Sequence, residues 1–150
     1  MFKVCLERFS KIDRDTIFKL STNIENFPKI MPKYFKSLKI KSSIDSEFLV
    51  SEKINFLGLS LNVTTKHTIV PPDFHEIHIL SGPLKNSIFT EKYVEFNNGT
   101  KVTIEVILEF GRLRKLFSIF GFFLERKINK VMDEFIISCE KKSLAYKTKS

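Results

Sequence analysis

Apolar residues at Leu113, Phe117, Phe120, Leu124, Ile128, Val131, Phe135 and Cys139 recur in steps of three and four. That spacing puts side chains on one face of a helix. No proline interrupts the chain from Leu113 to Tyr146, so the pattern predicts one long C-terminal helix with a continuous buried stripe. In its first turns Phe117, Ile119, Phe120, Phe122, Phe123 and Leu124 surround the axis. The aromatic surface that no single sheet can cover is expected to meet a hydrophobic ligand or a membrane. Gly121 falls inside this helix, where a bend or close packing is expected.

Ahead of the helix the period changes to two. Phe2, Val4, Leu6 and then Phe9 predict a first strand; Asp13 or Asp15 is placed to cap a short helix running through Leu20. Asn23 or Asn26 restarts the chain in a second short helix with Pro28 at an early position, and Pro32 ends it. Strands are then expected near 37–44, 47–56, 59–70, 74–81, 87–97 and 100–110, separated by Asp45-Ser46, Gly58, Pro71-Pro72-Asp73, Ser81-Gly82-Pro83 and Asn97-Asn98-Gly99. Asn98-Gly99 predicts a tight hairpin. Short connections make neighbours antiparallel, giving a seven-stranded antiparallel sheet that must curl or be covered to bury one face. In the last strand that face is Val102, Ile104, Val106, Leu108 and Phe110. From Leu59 the inward row Leu59, Leu61, Val63, Ile69 is interrupted by Thr65 and His67, and in 89–96 the choice between Phe89/Tyr93 and Val94/Phe96 stays open.

Charge refines this picture. The 150 residues carry 25 Lys or Arg and 17 Asp or Glu, net +8, and residues 112–150 account for ten of the bases and four of the acids. Lys29, Lys33, Lys36, Lys39 and Lys41 form a second basic cluster. Both are candidates for an anionic membrane surface or RNA, or serve as a solubilising face. Lysine predominates over arginine and glutamine is absent, a balance shared with heat-adapted proteins. The N-terminus lacks the apolar run of a secretory signal and no stretch matches a membrane span, so a cytoplasmic protein is expected, with Cys5 and Cys139 as buried free thiols. One domain of this size suffices for a core or a cavity.

The order strand, two short helices, six antiparallel strands and a long helix resembles the helix-grip fold of the START-like superfamily. Asn23-Ile24-Glu25-Asn26-Phe27-Pro28-Lys29-Ile30-Met31-Pro32 is similar to the D-x-E-x-Y-P-x-F-x-P segment of the polyketide cyclase and coenzyme Q-binding branch. Val94-Glu95-Phe96 with Asn98-Gly99-Thr100-Lys101-Val102 resembles that branch's W-x-F…G-T-x-V hairpin, with Val94 where Trp is usual. The resemblance implies an α+β domain spanning the chain, its curved sheet wrapped around the C-terminal helix. It also implies an apolar cavity that carries a lipid, quinone or polyketide-like molecule, with no cofactor.

Within that frame Met31, Tyr34, Phe35, His67, Ile79, Tyr93, Val106, Phe117, Phe120 and Leu124 are the candidate ligand-binding residues. Arg112, Arg114 and Lys115 stand where the helix dipole favours acids; with Phe122 they are candidates for contact with an anion or a membrane. His67 reads equally as a hydrogen-bonded core histidine. His75 and His78, three apart on a strand, face opposite ways and predict no metal site. Nucleophile and phosphate-binding motifs are missing. Three functions remain: a non-enzymatic carrier of a hydrophobic small molecule, a basic protein contacting RNA, ribosome or membrane, and a cyclase-type enzyme using Tyr93, Lys92 or His67 as acid and base. A monomer or weak homodimer is expected.

Overall fold

A computed structural model describes residues 1–56, 58–119 and 121–148. The chain opens with β1 (Phe2–Ser10), α1 (Arg14–Thr22), a 3-10 turn at Ile24–Asn26 and α2 (Phe27–Ile30). Asp13 caps α1, its carboxylate accepting from the Thr16 amide at 3.0 Å, and Pro28 opens α2 where a missing N–H costs nothing. Then follow β2 (Phe35–Ile44), β3 (Glu47–Phe56), β4 (Leu59–Val70), β5 (Phe74–Ile79), β6 (Ile88–Phe96) and β7 (Gly99–Leu108). All seven strands form one antiparallel sheet in the order β1-β7-β6-β5-β4-β3-β2. This is the helix-grip architecture.

The β6–β7 hairpin differs from expectation by one residue. Phe96 pairs with Gly99, so the two-residue turn is Asn97-Asn98, both with positive φ. Asparagine tolerates that conformation better than most residues. Gly99 instead begins β7, where a Cβ would overlap the carbonyl oxygen of Ser10 on the neighbouring strand.

The C-terminal helix is divided rather than continuous. A 3-10 turn at Gly111–Leu113 leads into α3 (Arg114–Ser118), and α4 runs from Gly121 to Thr148. Gly121 therefore stands in the first turn of α4, not in a helix interior, and among the described residues nothing lies within 4 Å of where its Cβ would be. No described residue supplies the close packing expected of it. Phe120 lies outside the described residues, as do the side chains of Leu113 and Phe117.

From Leu124 onward the predicted stripe holds: Leu124, Ile128, Phe135 and Cys139 are buried, and Val131 is partly so. They pack on the concave face against Val4, Leu6, Val102, Ile104, Val106 and Leu108. Arg8 fixes α4 on β1, its guanidinium donating to Asp133 Oδ1 at 2.7 Å and Asn129 Oδ1 at 2.8 Å. Cys5 is free but exposed, contrary to expectation, because alternation on β1 sends Val4 and Leu6 inward and Cys5 out. Cys139 is the buried free thiol.

Candidate functional site

Between α4 and the strands β3 to β6 the core is hollow. The cavity measures about 140 Å³; Phe27, Met31, Tyr34, Phe35 and α4 residues Ile128, Val131, Met132 and Phe135 form one side. Its sheet side is Ile54, Phe56, Val63, Thr65, Ile77, Ile79, Phe89 and two acids, Glu52 and Glu91. Alternation explains why acids sit there. Glu52 falls between inward Val50 and Ile54, and Glu91 between Phe89 and Tyr93. The open choice in β6 thus resolves to the Phe89/Tyr93 face, with Val94 and Phe96 exposed.

The two acids are joined by a row of buried side chains crossing four strands. Glu52 Oε1 lies 2.9 Å from His67 Nε2, His67 Nδ1 lies 3.0 Å from His75 Nε2, and His75 Nδ1 lies 3.0 Å from Glu91 Oε2. At one end Thr65 Oγ1 is 3.0 Å from both Glu52 Oε1 and His67 Nε2. At the other, Tyr93 donates to Glu91 Oε2 at 2.7 Å and Ser21 of α1 donates to the Tyr93 oxygen at 2.7 Å. His67 and His75 are 0% and 1% exposed, and their rings stack at 5.3 Å. A row this dry must be fully hydrogen-bonded to be tolerated.

Burial pushes His67 below the ordinary histidine range, against the opposing pull of Glu52. Burial and the Glu91 charge hold the Tyr93 hydroxyl well above the usual phenol value. The same two causes raise the Cys139 thiol, which α4 presents toward this end of the row, to about 12. At the cavity mouth Tyr34 donates to Glu134 at 2.9 Å; desolvation first, then Glu134, pushes it up to about 12. An open cleft outside it is bordered by Lys33, Lys36, Lys127 and Lys130.

Of the residues singled out from sequence, Met31, Tyr34, Phe35 and Ile79 line the cavity. His67 and Tyr93 belong to the row beneath it, while Val106 and Leu124 are core residues that do not reach the cavity wall. Sheet curvature places β7 under the filled part of the core, which is why Val106 is displaced from the site. Phe120 and the Phe117 side chain lie outside the described residues. Lys92 is exposed on the outer face. Arg112, Arg114 and Lys115 are exposed, as are Ile119, Phe122 and Phe123, with Arg126 over the Phe122 ring at 5.7 Å. His75, set aside from sequence with His78, turns inward and pairs with His67. Glu52, Thr65, His75 and Glu91 were not predicted as site residues; their shared inward parity with apolar neighbours was the signal. Among the described residues no group of three or more His, Cys, Asp or Glu is arranged to hold a metal ion. None of the described helices is long and apolar enough to cross a membrane.

A curved sheet gripping a helix over an apolar cavity defines a helix-grip domain. The chain belongs to the polyketide cyclase / dehydrase and lipid transport family, whose model matches residues 11–136. Three solved structures share its fold at low sequence identity. TTHA0849 from Thermus thermophilus is 14% identical with a TM-score of 0.76, over 96% of this chain and 98% of that one. The Zhui aromatase/cyclase from Streptomyces sp. R1128 is 10% identical with a TM-score of 0.74, over 94% of each chain. A START superfamily protein from Mycobacterium smegmatis is 13% identical with a TM-score of 0.70, over 95% of this chain and 97% of that one. No curated protein matches the chain.

Proposed function

We propose that the protein binds and carries a hydrophobic small molecule in the cavity between α4 and the sheet, without chemical conversion. The observation that carries this reading is a cavity of about 140 Å³ inside an otherwise packed core, walled by apolar side chains from α2, α4 and five strands. A void of this size in a well-packed protein forfeits dispersion contacts along its whole lining. A bound apolar molecule restores them. Engineered cavities of roughly 150 Å³ with similar walls take up benzene, so a ring-sized apolar body fits without rearrangement. Membership of a family described by lipid transport supports the same reading.

Titration with ethylbenzene tests it. Saturable binding by calorimetry, lost in Val63→Phe, which fills the cavity from β4, is the expected result. Failure of the unmodified protein to bind any small apolar ring contradicts the reading. Native mass spectrometry of freshly purified protein is an independent check, in which an apolar molecule released on denaturation is expected.

A further inference from the structure

Outside the cavity the surface carries a feature of opposite character, a cluster of unanswered positive charge; its role as a subsite rests on the cavity being the ligand site just described. An open cleft of about 330 Å³ is bordered by four lysines, Lys33, Lys36, Lys127 and Lys130, and by one acid, Glu134. Tyr34 and Asn55 wall both this cleft and the cavity, so the charged space adjoins the apolar one. The lysines come from two separate parts of the chain. Lys33 and Lys36 flank the start of β2, while Lys127, Lys130 and Glu134 stand at i, i+3 and i+7 on one face of α4.

Four ammonium groups brought round one space repel one another unless acids answer them. Among the described residues none of the four lies within ion-pair distance of a carboxylate. Lys130 and Glu134 are four apart on a helix, a spacing that commonly pairs, yet Glu134 is held instead by the Tyr34 hydroxyl, which donates to it at 2.9 Å. Two of the lysines are placed by contacts that leave their charge unanswered. Lys36 Nζ donates to the Pro32 carbonyl at 3.1 Å, and Lys127 Nζ lies over the Tyr34 ring at 5.9 Å from its centre. With Glu134 as the one acid on its border, the cleft keeps a surplus of three positive charges.

We propose that the ligand of this cavity is an anionic amphiphile: an apolar tail held between α4 and the sheet, and an acidic head group, carboxylate or phosphate, held outside it among Lys33, Lys36, Lys127 and Lys130. Solvation sets the orientation. An ionised head is costly to carry into an apolar cavity, whereas in the open cleft it keeps part of its water and gains the lysines. One exposed ion pair is worth only a few-fold in affinity, so two or three acting on one head group give roughly tenfold.

Calorimetric titration of the full chain at neutral pH and low salt with phenylhexanoate, phenylhexyl phosphate, phenylhexanol and ethylbenzene separates head from tail. Both acids are expected to bind at least about tenfold more tightly than phenylhexanol, with the advantage shrinking as salt is added, and the tighter of the two names the head group. Lys33→Gln combined with Lys130→Gln should remove most of that advantage. Lys39→Gln combined with Lys41→Gln takes the same charge from β2 outside the cleft and should leave it in place. Unchanged ethylbenzene binding in both double variants shows that they remain folded. If phenylhexanol binds as tightly as the acids, or the Lys39 and Lys41 pair costs as much as the cleft pair, the lysines are a general solubilising surface. The amphiphile proposal is then overturned, while ethylbenzene binding keeps the cavity reading. Inorganic phosphate binding as tightly as phenylhexyl phosphate overturns it too, because the cleft then takes a free anion without the cavity. If none of the four organic probes binds the unmodified protein, the cavity reading itself falls.

Discussion

The two halves of the sheet obey the same alternation and do opposite things. Under β1 and β7 every inward position from Val4 to Leu6 and from Val102 to Leu108 is apolar and buried, and the grip on α4 is solid. Under β3 to β6 the inward row includes Glu52, Thr65, His67, His75 and Glu91, and a cavity opens above it. Polar groups at core positions are costly unless each finds a partner. Here they find one another across strands, which spends their bonding capacity sideways along the sheet and leaves nothing to fill the space below α4. The filled half carries the fold and the hollow half carries the site.

Truncations should break this symmetry most visibly. Ile104→Ala, in the filled half, is expected to lose about 4 kcal/mol of stability in urea unfolding, whereas Ile77→Ala, bordering space that is already empty, should lose nearer ~2 kcal/mol. Equal losses would erase the distinction. His67→Leu removes the centre of the row and strands Glu52 and His75 without partners, so a loss of about 3 kcal/mol is expected from the same measurement. An unchanged midpoint would mean the row contributes nothing to the fold.

The pH dependence of stability is the gentler probe. Burial depresses His67 in the folded state, so its contribution is present above the unfolded value of 6.5 and is lost as the solution becomes more acidic. Urea midpoints that fall below that pH, with a shallower fall in His67→Gln, are expected. Cys139 works in the other direction: raised from 9.0 to about 12, it supports the fold below pH 9.0 and loses that contribution progressively toward pH 12. The smallest effect is chemical. A thiol reagent should modify exposed Cys5 in the native protein at once and reach Cys139 only on unfolding, and simultaneous labelling of both would contradict the packing of α4.

Strand order, the α1 cap and the α4 stripe were legible because each rests on a repeating pattern or a turn residue. The hairpin register was off by one because asparagine and glycine both tolerate positive φ; what decided it was the approach of Ser10 from β1, which no local pattern encodes. Cys5 was misassigned through attention to residue type instead of parity, since Val4 and Leu6 already pointed it outward. The division of the C-terminal helix before Gly121 had only that glycine as a signal. The polar row escaped for a different reason. Thr65 and His67 were visible as interruptions, but Glu52, His75 and Glu91 lie on three other strands, and only the pairing of His75 opposite Glu91 and the lateral order of β3 to β6 bring them together.

Methyl spectra of isoleucine-labelled protein during an ethylbenzene titration test the central contrast most directly. Ile54, Ile77, Ile79 and Ile128 line the cavity, whereas Ile17, Ile104 and Ile136 belong to the packed core away from its wall. Saturable shifts in the first group with the second nearly still are predicted. Shifts spread evenly over both groups, or none in the first, would contradict a ligand site confined to the hollow half.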